Sequence, residues 1–305
     1  MTRDRYNNEA FTADYFAQYD STISNGEARI PICFCIDTSS SMNFITNKRE
    51  DYRIIENTSH TEDGIAGVVN VELLPGVTAH RRIHEVQRVL NRMFERMRKE
   101  PRISNAAVVC IITFDMFADC IVEFSEVSRI SPDMIRSIRT NEDKTNASKG
   151  INMALERLEE FRRVNSRAGN ESYKPVLVFM SDGDVNDDIG ASEAAKKVRE
   201  LSEAAKLNVI PIAIGDAANQ KWMRRLSREA HVYQMEHEEE FDRIFDIITR
   251  RIAKTTMVIS VDEGLKNEND KEESSNPVND ELSTQYGMDI SDDELQSFLK
   301  SFMSS

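Results

Sequence analysis

Cysteine and long apolar runs are both scarce in this chain of 305 residues. Its four cysteines are too few for a disulfide framework and lie in apolar segments, so we expect buried, reduced thiols. No apolar run approaches the roughly 20 residues of a membrane span, and residues 1–10 lack the apolar core of a secretory signal. These absences predict a cytoplasmic protein that does not bind to a membrane.

Glycine and basic residues are also in short supply. The chain has only 11 glycines, and neither G-x-x-x-x-G-K-[ST] nor a G-x-G-x-x-G after the first strand is present, which excludes the common phosphate-binding loops. The formal net charge is −14, of which residues 262–305 contribute −9. Tight binding to nucleic acid or to an anionic membrane surface needs clustered Lys and Arg, so we expect neither partner.

Apolar runs alternate along the chain with segments of helical periodicity. The runs at 30–36, 176–180 and 209–214 predict strands buried on both faces, and those at 106–114 and 117–124 are close enough to form a hairpin. Apolar stripes at helical spacing begin at Ile83, Ile151, Ala191 and Phe241. The pattern predicts an α/β fold with a doubly wound, mostly parallel sheet, one antiparallel edge strand, and helices on both faces.

The chain divides into four parts by composition. We predict a polar N-terminal arm at 1–28, a domain at 29–255, an acidic disordered linker at 256–289, and an amphipathic docking helix at 290–305. The domain contains an insertion at 43–78 with a hairpin-like stretch at 67–76, and a segment this long is usually functional. The final helix has a capping box, Ser291 to Glu294, and an apolar stripe that needs a groove on this chain or on a partner.

Oxygen-bearing side chains cluster at the predicted strand ends. Asp37, Ser39 and Ser41 follow the first strand, Asp182 follows the strand at 176–180, and Thr145 precedes the helix at Ile151. Ligands of doubly wound sheets bind at the carboxyl ends of the strands, so these groups should converge. Converging carboxylates repel unless a cation lies between them, and oxygen ligands favour Mg²⁺, with Mn²⁺ as the alternative. Nearby Asp184, Asp187 and Asp188 are interpreted as solvated charges.

The pattern Asp37-x-Ser39-x-Ser41, followed by Thr145 and Asp182, resembles the metal-ion-dependent adhesion site of von Willebrand factor A domains. The resemblance covers residues 30–253. It implies that Ser39, Ser41 and Thr145 bind the metal directly, whereas Asp37 and Asp182 act mostly through water. Ser40 and the pair Asp143-Lys144 stand where the family often has glycine. Within the family, the chain is similar to bacterial tellurite-resistance-associated (TerY-like) proteins, whose relatives are often encoded beside protein kinases and phosphatases.

The resemblance implies a binding module and not an enzyme. A partner protein would supply a Glu or Asp side chain to the metal, in a bacterial stress-response or signalling assembly, and kinases and phosphatases are candidate partners. Two alternatives remain open: a metal-dependent hydrolase that uses the same ion to activate water, and a subunit of an ATPase or chelatase complex. His80 and His84 have metal-ligand spacing but no third ligand nearby, and Ser39 or Ser41 as a nucleophile would need a base.

Overall fold

The computed structural model describes residues 29–47, 49–58, 68–141, 144–169, 172–183, 185, 188–215, 220–235 and 248. The chain forms two compact units, Met1–Phe245 and Asp246–Ser305, and every described residue except Ile248 belongs to the first. Several predicted features lie outside the described residues: the arm at 1–28, the linker at 256–289, the helix at 290–305, nearly all of the helical stripe from Phe241, and Asp143, Asp184 and Asp187.

The described residues contain eight strands and six α-helices. The strands are β1 (Ile30–Asp37), β2 (Tyr52–Thr58), β3 (Val68–Leu73), β4 (Ala107–Phe114), β5 (Ala118–Glu126), β6 (Val176–Ser181), β7 (Asn208–Ile214) and β8 (Tyr233–Met235). The helices are α1 (Arg82–Lys99), α2 (Pro101–Ala106), α3 (Pro132–Arg136), α4 (Ala147–Arg167), α5 (Asp188–Glu203) and α6 (Gln220–Met223). Within this described part, no helix combines the length and apolar character needed to cross a bilayer.

Six strands form the central sheet in the order β5-β4-β1-β6-β7-β8. Strand β1 lies between β4 and β6 and is parallel to both, whereas β5 at the edge is antiparallel to β4. Every residue of β1 is buried, as expected of an apolar strand covered on both faces. The predicted fold class, including the antiparallel hairpin, is therefore confirmed.

Helices cover both faces of this sheet. On one face Phe34 of β1 packs edge-on against Phe94 of α1, with ring centroids 5.6 Å apart. On the other face the apolar stripes of α4 and α5 pack on a core that includes Cys33 and Phe179. The predicted apolar stripes beginning at Ile83, Ile151 and Ala191 are thus buried against the sheet because their spacing matches the helical repeat.

The insertion after β1 forms a separate two-stranded sheet. Its strands β2 and β3 are antiparallel, and its base is closed where Thr46 N–H donates to the His80 carbonyl (2.8 Å) and Asn47 Nδ2 donates to the Thr78 carbonyl (2.9 Å). The stretch 67–76 is not a hairpin in itself, because β3 occupies most of it and its partner strand is Tyr52–Thr58.

Candidate metal centre

The first loop of the candidate site follows β1 at the middle of the sheet. Asp37 Oδ1 accepts a hydrogen bond from Ser39 N–H at 2.9 Å, the Asx-turn contact that Asp forms when a chain turns sharply. The turn places Ser39 Oγ 3.1 Å from Ser41 Oγ. The backbone N–H and hydroxyl of Thr38 both donate to the Phe114 carbonyl, which fixes the loop to the end of β4.

The loop after β6 meets the first loop from the neighbouring strand. Ser181 Oγ donates to Asp37 Oδ2 at 2.6 Å and accepts from Gly183 N–H at 3.0 Å. Asp182 lies between these two residues and is only 2% exposed. Two carboxyl groups, those of Asp37 and Asp182, are therefore buried beside each other at the carboxyl ends of adjacent strands.

The loop that carries Thr145 is anchored to the ends of β1 and β4. Asn141 N–H donates to the Thr38 carbonyl (2.9 Å), and Asn146 N–H donates to the Asp115 carbonyl (2.7 Å). The Asp115 carboxylate accepts from Asn141 Nδ2 and from Phe117 N–H. Thr145 lies between these anchors, is buried, and directly precedes Asn146, the N-cap residue of α4.

The structure thus places all five predicted ligands at one edge of the sheet. Direct hydrogen bonds join Asp37, Ser39 and Ser41, and Ser181 joins Asp37 to the strand that leads to Asp182. Thr145 is connected to them through its anchored loop. Their assignment as metal ligands remains a prediction.

Sequence analysis missed Arg82, which is a further member of this site. Its guanidinium Nη1 lies 2.9 Å from Asp182 Oδ2 and 3.4 Å from the Ser41 carbonyl oxygen. Both side chains of this ion pair are largely buried, with 10% of Arg82 and 1% of Asp182 exposed. Gly215, with φ of +90°, leaves space for this arginine, because a Cβ at that position would lie 2.6 Å from Arg82 Nε.

Burial strongly affects the pKa of Asp37, the first aspartate of the site. Desolvation, together with the neighbouring Asp182 carboxylate, raises the pKa of Asp37 to about 7, although hydrogen bonds from Ser181 and Ser39 act in the opposite direction. An added cation would stabilise the ionised form of this carboxyl group. The donor set consists of carboxylate and hydroxyl oxygens, so the residues present fit a hard divalent cation.

The histidines considered as an alternative metal pair have other surroundings. His80 Nδ1 lies 3.9 Å from the Glu85 carboxylate, and its backbone N–H binds the Asn47 side chain. His84 is exposed to solvent. Neither belongs to a cluster of three metal-ligating groups among the described residues.

Comparison with known proteins identifies the family to which this fold belongs. Residues 77–247 match the sequence profile of the von Willebrand factor type A domain. The chain therefore belongs to the von Willebrand factor type A family. The profile match begins after Asp37, Ser39 and Ser41. In the structure, however, Asp37 ends β1 and the two serines follow it, and β1 is a central strand of the same sheet.

Solved structures share this fold at low sequence identity. The pilus adhesin SpaC from Lactobacillus rhamnosus GG is similar over 75% of this chain and 30% of its own, with 10% identity and a TM-score of 0.50. The BatB protein from Bacteroides thetaiotaomicron is similar over 72% of this chain and 98% of its own, with 15% identity and a TM-score of 0.45. A third structure is proximal thread matrix protein 1 from the mussel byssus, with zinc in its MIDAS motif. It is similar over 72% of this chain and 45% of its own, with 14% identity and a TM-score of 0.45. This chain thus spans less than half of the mussel protein. A search of curated protein sequences found no match.

Proposed function

We propose that this chain is a metal-dependent protein-interaction module, in which Asp37, Ser39, Ser41, Thr145 and Asp182 hold Mg²⁺. The observation that carries the proposal is the burial of Asp37 and Asp182 side by side, next to two hydroxyls, at the carboxyl edge of the sheet. A bound divalent ion supplies a positive charge that can accept a ligand from a partner. Mg²⁺ is favoured over softer ions because every proposed ligand is an oxygen.

The charge of the site favours an acidic partner group. With Asp37 and Asp182 ionised and Arg82 protonated, these three side chains carry one net negative charge. A divalent cation changes their sum to one net positive charge, which attracts a Glu or Asp side chain. Because the site is largely buried, a carboxylate bound there gains more than it would in a surface ion pair.

Apolar side chains near the site would add to partner binding. Phe44 follows the first loop and is 60% exposed, and its ring lies 5.4 Å from the Arg82 guanidinium carbon. Phe117, in the turn after β4, is 57% exposed, and Lys149 lies over its ring. An acidic side chain flanked by apolar groups is therefore the partner chemistry that this surface fits best.

The resemblance to TerY-like proteins guides the choice of candidate partners. It supports a role in a bacterial stress-response or signalling assembly and suggests protein kinases and phosphatases as the first proteins to test. A cytoplasmic location is consistent with four cysteines that form no disulfide. We favour binding over hydrolysis because, in the described part of the chain, the Ser39 and Ser41 hydroxyls are hydrogen-bonded to each other and not to a histidine.

The proposal is tested by measuring metal binding and partner binding on the same variants. Thr145→Ala removes a proposed ligand, and Asp133→Ala removes an exposed aspartate that pairs with Arg136 on α3. We expect Mg²⁺ to raise the Tm of the wild type and of Asp133→Ala, but not that of Thr145→Ala. Candidate kinases and phosphatases should bind the wild type and Asp133→Ala in Mg²⁺, and this binding should be lost in EDTA.

Two outcomes would contradict this function. Partner binding that is equally strong in EDTA, or in Thr145→Ala, would show that the metal site is not the binding determinant. Turnover of a phosphoester by the isolated chain, lost in Thr145→Ala, would instead support the metal-dependent hydrolase.

A further inference from the structure

A second cluster of metal-ligating side chains lies apart from the first, on strands β4 and β5 and on the face of the sheet that α4 covers. Cys110 of β4 and Cys120 of β5 have their sulfur atoms 3.7 Å apart. The carboxylate of Glu123, also on β5, lies within 4.8 Å of both sulfurs. Among the described residues this is the one group of three His, Cys, Asp or Glu side chains with ligand atoms so close together.

An irregularity in the strand pairing makes this cluster possible. Residues three apart on a regular strand point to opposite faces, so Cys120 and Glu123 should not share a side. The register between β4 and β5 shifts twice, between Val109 and Ile111 and again between Ile111 and Ile112. Such β-bulges redirect side chains and are common next to functional sites. Here these two irregularities bring Cys120 and Glu123 to the same side of β5, beside Cys110.

The sulfur spacing agrees with tetrahedral metal coordination. Zinc binds cysteine sulfur at about 2.3 Å, so two sulfurs at the tetrahedral angle are about 3.8 Å apart. The observed separation of 3.7 Å is close to that value and far longer than a disulfide bond of about 2.0 Å. The two thiols are therefore already placed as metal ligands would be.

Charges around the cluster would balance in the presence of a divalent cation. Arg157 of α4 lies 3.3 Å from Glu123 and 3.0 Å from Glu160, and Glu160 also pairs with Arg163. The positive charges of Arg157 and Arg163 balance the negative charges of Glu123 and Glu160. The two positive charges of a metal ion would then balance the thiolates of Cys110 and Cys120. Without a metal, burial raises the pKa of the Cys110 thiol, and the contact with Cys110 together with burial raises that of Cys120. The metal-free thiols are thus neutral.

We propose that Cys110, Cys120 and Glu123 form a second metal site, specific for a thiol-binding divalent cation of the zinc class. Binding forms two metal–sulfur bonds and one metal–oxygen bond and releases the two thiol protons to solvent. Thiolate ligands select soft or borderline ions, whereas the site at Asp37 offers only oxygen and selects hard ones. The inference does not depend on the proposed function of the first site.

The cluster is accessible from the sheet edge. Strand β5 is the outermost strand of the described sheet, Cys120 is partly exposed, and the Glu123 side chain is 16% exposed. Cys33 of β1 is the register partner of Cys110 on the interior side and is fully buried. A metal would therefore enter beside Cys120, and its fourth ligand would come from solvent.

Cadmium is a suitable probe, because cadmium bound to thiolate absorbs in the ultraviolet and cadmium bound to oxygen does not. The full-length chain is reduced, freed of metal and titrated with Cd²⁺. We expect one thiolate-bound Cd²⁺ per chain in the wild type, no thiolate band in Cys120→Ala, and at least tenfold weaker binding in Glu123→Gln. The control is Cys35→Ala, which removes a buried thiol outside the cluster and should keep the band.

The outcomes separate a metal site from simple packing of two thiols. Circular dichroism and a cooperative thermal unfolding transition establish that each variant is folded. A reduced wild type without the thiolate band would overturn the proposal, as would a band of equal strength in Cys120→Ala. A protein in which Cys110 and Cys120 only form a disulfide, and bind no Cd²⁺ after reduction, would also overturn it.

Discussion

Arg82 gives the candidate metal centre a built-in positive charge. Its ion pair with Asp182 is buried, and removing one partner of such a pair typically costs about 3–5 kcal/mol, because the other charge is left unpaired. The same guanidinium competes with a metal for the Asp182 carboxylate. Arg82 therefore stabilises the metal-free protein and lowers the affinity of the site for a cation.

Replacing Arg82 should make the thermal stability of the protein depend more strongly on bound Mg²⁺. We expect Arg82→Gln to lower the Tm in EDTA and to increase the rise in Tm that Mg²⁺ produces, because the cation then replaces the missing charge. Differential scanning calorimetry with and without Mg²⁺ measures both effects. Arg162→Gln, which breaks an exposed ion pair with Glu159, is the control and should change neither quantity by much. An equal Mg²⁺ effect in Arg82→Gln and wild type would refute this role.

The raised pKa of Asp37 predicts a pH effect on the metal-free protein. An unfolded Asp titrates near pH 3.9, whereas folded Asp37 titrates near 7, so the folded state binds a proton more tightly between these values. Its contribution to the free energy of unfolding is therefore fully present below about pH 4 and is lost as the pH rises through 7. The charged or titratable groups around it are Asp182, the Arg82 paired with Asp182, and the Cys35 thiol.

Urea unfolding in EDTA across pH 4 to 8 tests this effect against Asp37→Asn. The wild type should lose stability relative to Asp37→Asn as the pH rises, whereas Asp133→Asn, at an exposed position, should follow the wild type. A constant difference between wild type and Asp37→Asn would mean that the Asp37 carboxyl titrates at an ordinary value.

Single residues differ in how well the sequence predicts them. Asp37, Ser39 and Ser41 are predictable because they lie within five positions of one another, directly after an apolar strand. Arg82 is not, because its partner Asp182 is 100 positions away and nothing local distinguishes Arg82 from Arg81. The bulge that unites Cys120 and Glu123 is missed for a related reason, because alternation along a strand predicts opposite faces for them.

The β2–β3 insertion is the element most suited to selecting a partner. The insertion begins directly after Ser41 in the first loop of the site and ends at Arg81, next to Arg82 in the site. The contact of Asn47 with Thr78 holds the two ends together, so the segment between them can be shortened without opening the domain. The described residues of the insertion form a separate sheet and add no strand to the central one.

Replacing residues 49–76 with a short Gly-Ser linker should alter partner affinity and leave the domain folded. This deletion retains Phe44 and the Thr46 contact with His80, which support the first loop. We expect the Mg²⁺-induced rise in Tm to stay within about 2 °C of the wild-type value, while affinity for the partner changes at least tenfold. Unchanged partner affinity would mean that the insertion packs away from the binding surface.

Elements made of continuous apolar runs are well predicted here, and those made of mixed sequence are not. The runs at 30–36, 106–114 and 176–180 became β1, β4 and β6 with ends shifted by one residue at most. Strand β2 was missed because Ile54 and Ile55 are exposed and flanked by charged residues, so no apolar run or alternation marks it. Pairing with β3 supplies its backbone hydrogen bonds instead.

At the scale of the whole molecule, the acidic C-terminal region is predicted to act separately from the metal site. Its sequence has a capping box at Ser291 and an apolar stripe from Leu295 to Met303. A helix of about 14 residues is only marginally stable alone, so its stripe needs a groove.

Deleting residues 290–305 should remove one interaction and leave metal binding unchanged. We expect the truncated chain to show the wild-type increase in Tm with Mg²⁺, but to lose either self-association or one of its partners. Analytical ultracentrifugation and partner titrations, compared with a chain in which Phe298 and Phe302 are both changed to Ser, measure this loss. If oligomeric state and all partner affinities remain the same, residues 290–305 do not form a docking element.

The central position of β1 has a consequence for the synthesis of the chain. This strand emerges from the ribosome before both of its neighbours, and Ile32 must wait for Val176 before the sheet can close. At roughly 5–20 residues per second, that delay lasts from about 7 to 29 s. During this interval β1 can pair with β4, but its other edge has no partner, which is a condition that favours aggregation of a buried strand. We therefore expect a chaperone that acts before β6 has been made to increase the yield of folded protein.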